Sequence, residues 1–249
     1  MAQRILILVL FLLAIITSSS LTVLYLQNKS GGSANVAPAN LSAEISKFIE
    51  ENPEIIIQAL KKSQMRQAEV EAKKAEGAVK DVLPKLKERK AIAGKNDGDV
   101  VFAVFHDFNC GFCRKSVGDV VKVSENFKDV KIVLINLPIL GPLSVDKAKV
   151  SEAIAQISPE KSFDFFVKME KETPKTLEQI LAIVESIGVD AGKVKEVANS
   201  SEVENILSQN RAIAEQVGVQ GTPAFIIDNQ IIKGALGYDA FANAINKAK

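Results

Sequence analysis

The sequence predicts an α/β domain in which a βαβ half and a ββα half are joined by a helical insertion, with a helical stalk ahead of them. Three observations carry this. Two apolar runs, "VVFAVFH" at 100–106 and "VKIVLIN" at 130–136, flank a helical stretch. Short runs rich in β-branched and aromatic residues, bounded by Gly, Asn or Pro, read as buried strands. Residues 145–219 then carry only helical patterning, punctuated at "SPEK", "TPKT", "GVDAGK" and "ANSSEV". Last comes "AFIIDNQIIK", two short apolar runs turning at Asp228 and Asn229, followed by a closing helix from about Asp239 to Lys249.

At 249 residues, 47% apolar and 24% charged, the chain can fill one large domain plus an appendage. Lys and Arg total 31 against 30 Asp and Glu, and Trp is absent. That balance makes no field to draw nucleic acid, which is not expected as a partner. Arg4 precedes "ILILVLFLLAII" and "TSSSLTVLYL", an apolar stretch interrupted by Thr17 and three serines. Roughly 22 such residues just span a bilayer, so residues 1–27 are expected to be a signal peptide or a signal anchor. No clean small-x-small cleavage site follows Ile16, which keeps an uncleaved anchor open. Residues 28–40, "NKSGGSANVAPAN", read as a flexible linker. What folds after them is expected outside the cytoplasm, in an oxidising compartment.

Residues 41–93 form a charged, Ala-rich helical region. Ser42 suits a cap for a short helix with Ile45, Phe48 and Ile49 on one side. Asn52 suits the N-cap of a second helix whose first position is Pro53. Gly77 and Pro84 are expected to bend or break it. The region is either a solvated helix lying on the main domain or a stalk whose Ile-rich section associates with copies of itself. Its heptads are too few and irregular to set a copy number.

The main domain occupies 94–249. A helix beginning near Cys110 and running to about Phe127 joins its first two strands, and Pro138 ends the second. Both cysteines of the chain and its single histidine fall within "FHDFNCGFCRKS". Three chemistries compete for Cys110 and Cys113. A structural zinc site wants four ligands, and Cys110, Cys113 and His106 are the whole thiol and imidazole supply. Three ligands could still hold copper(I). A static disulfide across so short a loop constrains the unfolded chain by only roughly 2 kcal/mol. A redox pair fits better. Cys110 at a helix start meets unpaired N–H groups and the positive end of the helix dipole, which favour thiolate over thiol. Arg114 and Lys115 add positive charge, and Gly111 lets the chain turn tightly. Cys113, one turn further in, is expected to be the more buried thiol and is spaced to attack a mixed disulfide at Cys110. "GTPAF", over a hundred residues later, precedes a strand. A cis Thr222–Pro223 bond there would leave Thr222 backbone groups free to pair with an extended substrate chain beside Cys110.

"FHDFNCGFC" with "GTPAF" resembles the thioredoxin superfamily, and within it the DsbA-like branch, in which a helical block interrupts the thioredoxin fold. "ENPEIIIQALKKSQMRQ", "GKNDGDVVFAVFHDFNCGFCRKS" and "LPILGPLS" are similar to a bacterial subgroup of exported, stalked DsbA-like proteins that includes the copper-sensitivity suppressors. The resemblance covers roughly residues 41–249. It implies a thioredoxin fold with a helical insertion at about 145–219, and a periplasmic thiol–disulfide oxidoreductase. In stalked members it further implies oligomers, often trimers, that act as disulfide isomerases. Carried over, Cys110 is the attacking cysteine, Cys113 the resolving one, and Thr222 and Pro223 form the cis-proline loop. The implied partners are exported proteins with thiols or disulfides, a membrane redox partner that resets the pair, and further copies of the chain. No cofactor beyond the Cys110–Cys113 disulfide is expected, and no metal.

The chain also departs from its relatives. Gly111 and Phe112 stand between the cysteines, where the strongest oxidants of the branch have a histidine. The pair should therefore be less oxidising. Phe108 and Phe112 stand where stalked relatives more often carry Tyr. His106, Asp107 and Arg114 are candidate modulators of the pair. His106 is expected to be a packing or surface residue rather than a proton relay or copper ligand. For Asp107 a hydrogen bond to the loop is preferred to a role as local base. The function expected is disulfide isomerisation in exported proteins. The alternatives are a dithiol oxidase of similar chemistry and, from a different class, a copper-binding or chaperone protein.

Overall fold

The computed structural model describes residues 39–249. The expected signal segment, 1–27, and nearly all of the linker, 28–40, lie outside the described residues. The chain divides into two compact units, residues up to Arg66 and Gln67–Lys249. Among the described residues no helix is long and apolar enough to cross a membrane.

The first unit contains α1 (Ala39–Glu51) and the start of α2 (Pro53–Glu88). Helix α1 begins three residues before Ser42, which therefore lies inside the helix and does not cap it. Pro53 opens α2 as expected, because its missing N–H is no loss there. Asn52 behaves differently from its expected capping role. Its side-chain amide donates back to the carbonyl of Phe48 at 2.8 Å, closing α1 rather than opening α2. Ile45, Phe48, Ile49, Ile55, Ile56, Ile57 and Leu60 are all exposed.

Neither Gly77 nor Pro84 breaks α2, which runs on as a single helix of 36 residues. An interior proline costs about 3 kcal/mol. Against that, Val79, Val82 and Leu86 recur on one face and are completely buried in the second unit. Burying each contributes about 1.5–3 kcal/mol, so tertiary packing outweighs the local preference.

The second unit is built on a mixed sheet of β1 (Ala93–Gly94), β2 (Val101–His106), β3 (Lys131–Asn136), β4 (Ala224–Ile227) and β5 (Gln230–Lys233). Their order across the sheet is β1-β3-β2-β4-β5. Strands β2 and β3 are parallel, with Val101 opposite Lys131 and His106 opposite Asn136. Strand β4 runs antiparallel to β2, with Phe105 opposite Ala224. Sequence reading did not find β1, whose two residues pair with Ile132 and Lys131. Gly94 has φ +75°, and a Cβ there would lie 1.9 Å from the carbonyl oxygen of Val130, so only glycine fits.

Between the strands run α3 (Gly111–Asn126) and the helices α4 (Pro142–Ile157), α5 (Ser162–Glu172), α6 (Leu177–Ser186), α7 (Ala191–Ala198) and α8 (Ser201–Gln216). The insertion thus begins at Pro142, a little before the expected 145, because proline sets its first turn. Helix α9 (Tyr238–Ala248) closes the chain. Alternate residues of β2 point to opposite faces of the sheet. Phe102 and Val104 join Phe225 and Ile132 under α3, α9 and the insertion. Val101, Ala103 and Phe105 face the last turns of α2 and the Ile213–Ala214 section of α8. Both faces are covered, which is why β2 is apolar throughout.

Candidate active site

The end of β2 passes through His106 and Asp107 to a short turn that delivers Cys110 as the N-cap of α3. Asp107 builds the turn. Its Oδ1 accepts from the backbone N–H of Asn109 at 2.8 Å, and its carbonyl accepts from the N–H of Cys110 at 2.9 Å. Its Oδ2 accepts from the N–H groups of Ile139 and Leu140, at 2.8 and 3.0 Å. Asp107 is 1% exposed, so one buried carboxylate ties the cysteine turn to the loop after β3. This is the loop-bonding role preferred from sequence.

Cys110 stands where the helix N–H groups converge. Its Sγ accepts from the N–H of Cys113 at 3.4 Å. The same thiol donates to the carbonyl of Thr222 at 3.2 Å, across 112 positions of sequence. The Thr222–Pro223 bond is cis, and the loop leads directly into β4 beside β2. Thr222, Pro223 and Lys233 line a hollow of about 260 Å³. A larger cavity of about 930 Å³, lined by Arg89, Asn136 and Glu152 among others, contains neither cysteine.

The two thiols are free and unequal. Cys110 is 7% exposed and Cys113 completely buried. Gly111 and Phe112 face solvent, and Phe112 is 65% exposed. Gly111 does not have a left-handed φ, and a Cβ there would meet nothing within 4 Å, so the turn does not depend on glycine as expected. The Lys115 ammonium lies 5.3 Å from the centre of the Phe112 ring.

Burial pushes the Cys113 thiol well above the ordinary cysteine range. Cys113 therefore keeps its proton until an exchange partner is present. The group is neutral when protonated, and its folded value is raised above the unfolded one. Its contribution to stability is thus complete below about pH 8.5 and is lost as pH rises above that value. Urea unfolding of the reduced protein should show stability falling above about pH 8.5, with a shallower fall in Cys113→Ala. Equal slopes in the two proteins would show that Cys113 is not the group responsible.

His106 and Arg114 meet on a residue that sequence reading missed. Glu170 of α5 is 2% exposed. Its Oε1 is 2.8 Å from His106 Nε2, and its Oε2 is 3.3 Å from Arg114 Nε. His106 is not a surface residue. It is 1% exposed and packs edge-on against Phe108 and Phe166. Arg114 spends its charge partly on Glu170 rather than only on the cysteines. Lys147 of α4 was missed too. It is 1% exposed, and its Nζ donates to Asn109 Oδ1 at 2.7 Å and to the carbonyl of Phe108 at 3.3 Å. A signal for both was present. Lys147 continues the stripe of Ser144, Ala148 and Ser151, and Glu170 that of Phe166 and Met169. A charge on a buried stripe requires a partner.

Comparisons with known proteins agree with this arrangement. The chain is 24% identical over 167 residues to "Disulfide bond formation protein D" of Bacillus subtilis, covering 63% of this chain and 75% of the relative. The thiol-disulfide exchange protein alpha-DsbA2 from Wolbachia pipientis superposes with a TM-score of 0.67 at 23% identity, covering 72% of this chain and 97% of that one. Proteus mirabilis ScsC in a transitional conformation gives 0.62 at 21%, covering 84% and 95%. These structural likenesses carry the DsbA-like fold. Residues 85–247, which hold the five described strands, both cysteines and Pro223, match the family model described as Thioredoxin, and the chain therefore belongs to the thioredoxin family.

Proposed function

We propose that the chain is an exported thiol–disulfide oxidoreductase acting as a protein disulfide isomerase in the periplasm. One observation carries the reading: Cys110 Sγ sits between the Cys113 N–H and the Thr222 carbonyl. An N–H directed at the sulfur suits a thiolate, and the Thr222 backbone lies where an extended substrate strand would run.

Cys110 as thiolate attacks one sulfur of a mispaired disulfide in an exported protein. That S–S bond breaks, a mixed disulfide forms, and the second substrate sulfur leaves as thiolate. Another substrate thiolate then attacks the mixed disulfide, giving a new pairing and returning Cys110 with no net electron transfer. In the escape route Cys113 loses its proton and attacks Cys110. The substrate leaves reduced, and two electrons have passed from the Cys110–Cys113 pair. A membrane redox partner resets the pair, and no cofactor beyond it takes part. The exposed apolar residues of α1 and early α2 support association of copies through the stalk. Several thiol pairs in one assembly suit repeated trial of substrate pairings.

The second reading, a dithiol oxidase, is favoured by the name of the Bacillus relative. Reactivation of a substrate with scrambled disulfides, compared with oxidation of the same substrate fully reduced, separates the two. The isomerase is expected to rescue the scrambled form faster than the glutathione buffer alone. Activity confined to the reduced substrate would favour the oxidase.

A further inference from the structure

We propose that Lys147 and Glu170, both supplied by the helical insertion, are positioning residues that set the redox balance of the Cys110–Cys113 pair in opposite directions. The proposal deepens the thiol-exchange reading and rests on it. The two residues grip the cysteine segment from either side. Lys147 holds Phe108 and Asn109, the residues directly before Cys110. Glu170 holds His106 and Arg114, the latter directly after Cys113. Both side chains are almost completely buried, so little water screens them from the thiols.

The reduced pair carries a negative charge when Cys110 is a thiolate, and the disulfide carries none. A cation fixed beside Asn109 therefore favours the reduced form. Glu170 acts in the opposite sense by offsetting the guanidinium of Arg114. Its loss would leave Arg114 and Lys147 unmatched beside the thiolate. The charged groups facing Lys147 are Glu170 and Asp107, which help to hold its proton, and Lys175 and Arg114, which oppose it. Burial is the largest influence on the ammonium and acts in the same direction as those two cations, so the Lys147 pKa lies below the ordinary lysine value. His106 Nδ1 is buried without a hydrogen-bond partner, and Nε2 is the ring nitrogen that meets Glu170 Oε1.

The full-length protein and its Glu170→Gln, Lys147→Met and Arg114→Gln variants would be equilibrated in glutathione buffers, and the reduced fraction read by thiol alkylation and mass. In this reaction the Cys110–Cys113 bond breaks and a disulfide forms between two glutathiones. Two electrons and the thiol protons pass to the cysteines. Glu170→Gln is expected to raise the equilibrium constant for reduction by about tenfold, and Lys147→Met and Arg114→Gln to lower it by about three- to tenfold. Shifts of the same sign in Glu170→Gln and Lys147→Met, or none beyond about twofold, would overturn the proposal. Arg114 is partly exposed, so its variant is expected to keep the fold. If Lys147→Met fails to fold, a shared sign between Arg114→Gln and Glu170→Gln overturns the proposal equally. Failure of the unsubstituted protein to exchange with glutathione at all would instead remove the oxidoreductase reading beneath it.

Discussion

Cys110→Ser is expected to reduce thiol–disulfide exchange to the uncatalysed level, whereas Cys113→Ser should keep the first step and accumulate mixed disulfides. The asymmetry follows from geometry. Cys110 Sγ receives an amide N–H at the helix start and is the partly accessible thiol, while Cys113 is sealed in the core. A serine hydroxyl at Cys110 has no thiolate to offer an incoming disulfide, and buried Cys113 cannot be reached by a folded or extended substrate. With Cys113 replaced, Cys110 can still attack, but nothing inside the protein releases the substrate. Non-denaturing incubation with a disulfide substrate, followed by mass analysis without reductant, distinguishes the variants. Cys110→Ser should give no adduct, and Cys113→Ser a stable one. Adducts on Cys113 in the Cys110→Ser protein would reverse the assignment. Tight copper binding as the sole thiol-dependent property of the unsubstituted protein would favour the metal-binding class.

What was legible in the sequence was whatever has a local physical signature. The apolar run of β2, the turn at Asp228 and the helix following Cys110 each depend on nearest neighbours, and each was placed within a residue or two. Asp228 has φ +50°, the left-handed conformation that Asp tolerates in a tight turn. The features that escaped are those decided by distant contacts. Strand β1 exists only because Ala93 and Gly94 meet β3, and two residues carry no periodicity. Pro84 sits inside a helix because Val82 and Leu86 on either side of it are anchored in the core. Glu170 is 64 positions from His106, so no spacing rule could join them. The cysteine pair and Thr222 were found despite their separation because each lies in a short motif with its own chemistry.

Deleting residues 1–66 is expected to leave a folded, thiol-active unit that has lost its advantage with scrambled substrates. Deleting residues 1–93 is expected to unfold the domain. The first cut falls at the boundary between the two compact units and removes the exposed apolar residues of α1 and early α2. The second also removes Val79, Val82 and Leu86, each completely buried against the sheet. At about 1.5–3 kcal/mol apiece these supply roughly 5–9 kcal/mol, an upper estimate because unfolded chains already bury some surface. That is comparable to the whole stability of an ordinary domain, about 5–15 kcal/mol. The longer deletion also removes Ala93, half of β1, and the Lys87 carbonyl that accepts from the buried Lys131 ammonium. A charge left without its acceptor adds to the loss. Thermal unfolding of the two truncations, with reactivation of scrambled substrate by the shorter one, tests both halves of the argument. Equal stability would mean that the last turns of α2 contribute far less than their burial implies. Undiminished reactivation without residues 1–66 would mean that shuffling needs only one thiol pair, and that the stalk serves some other end.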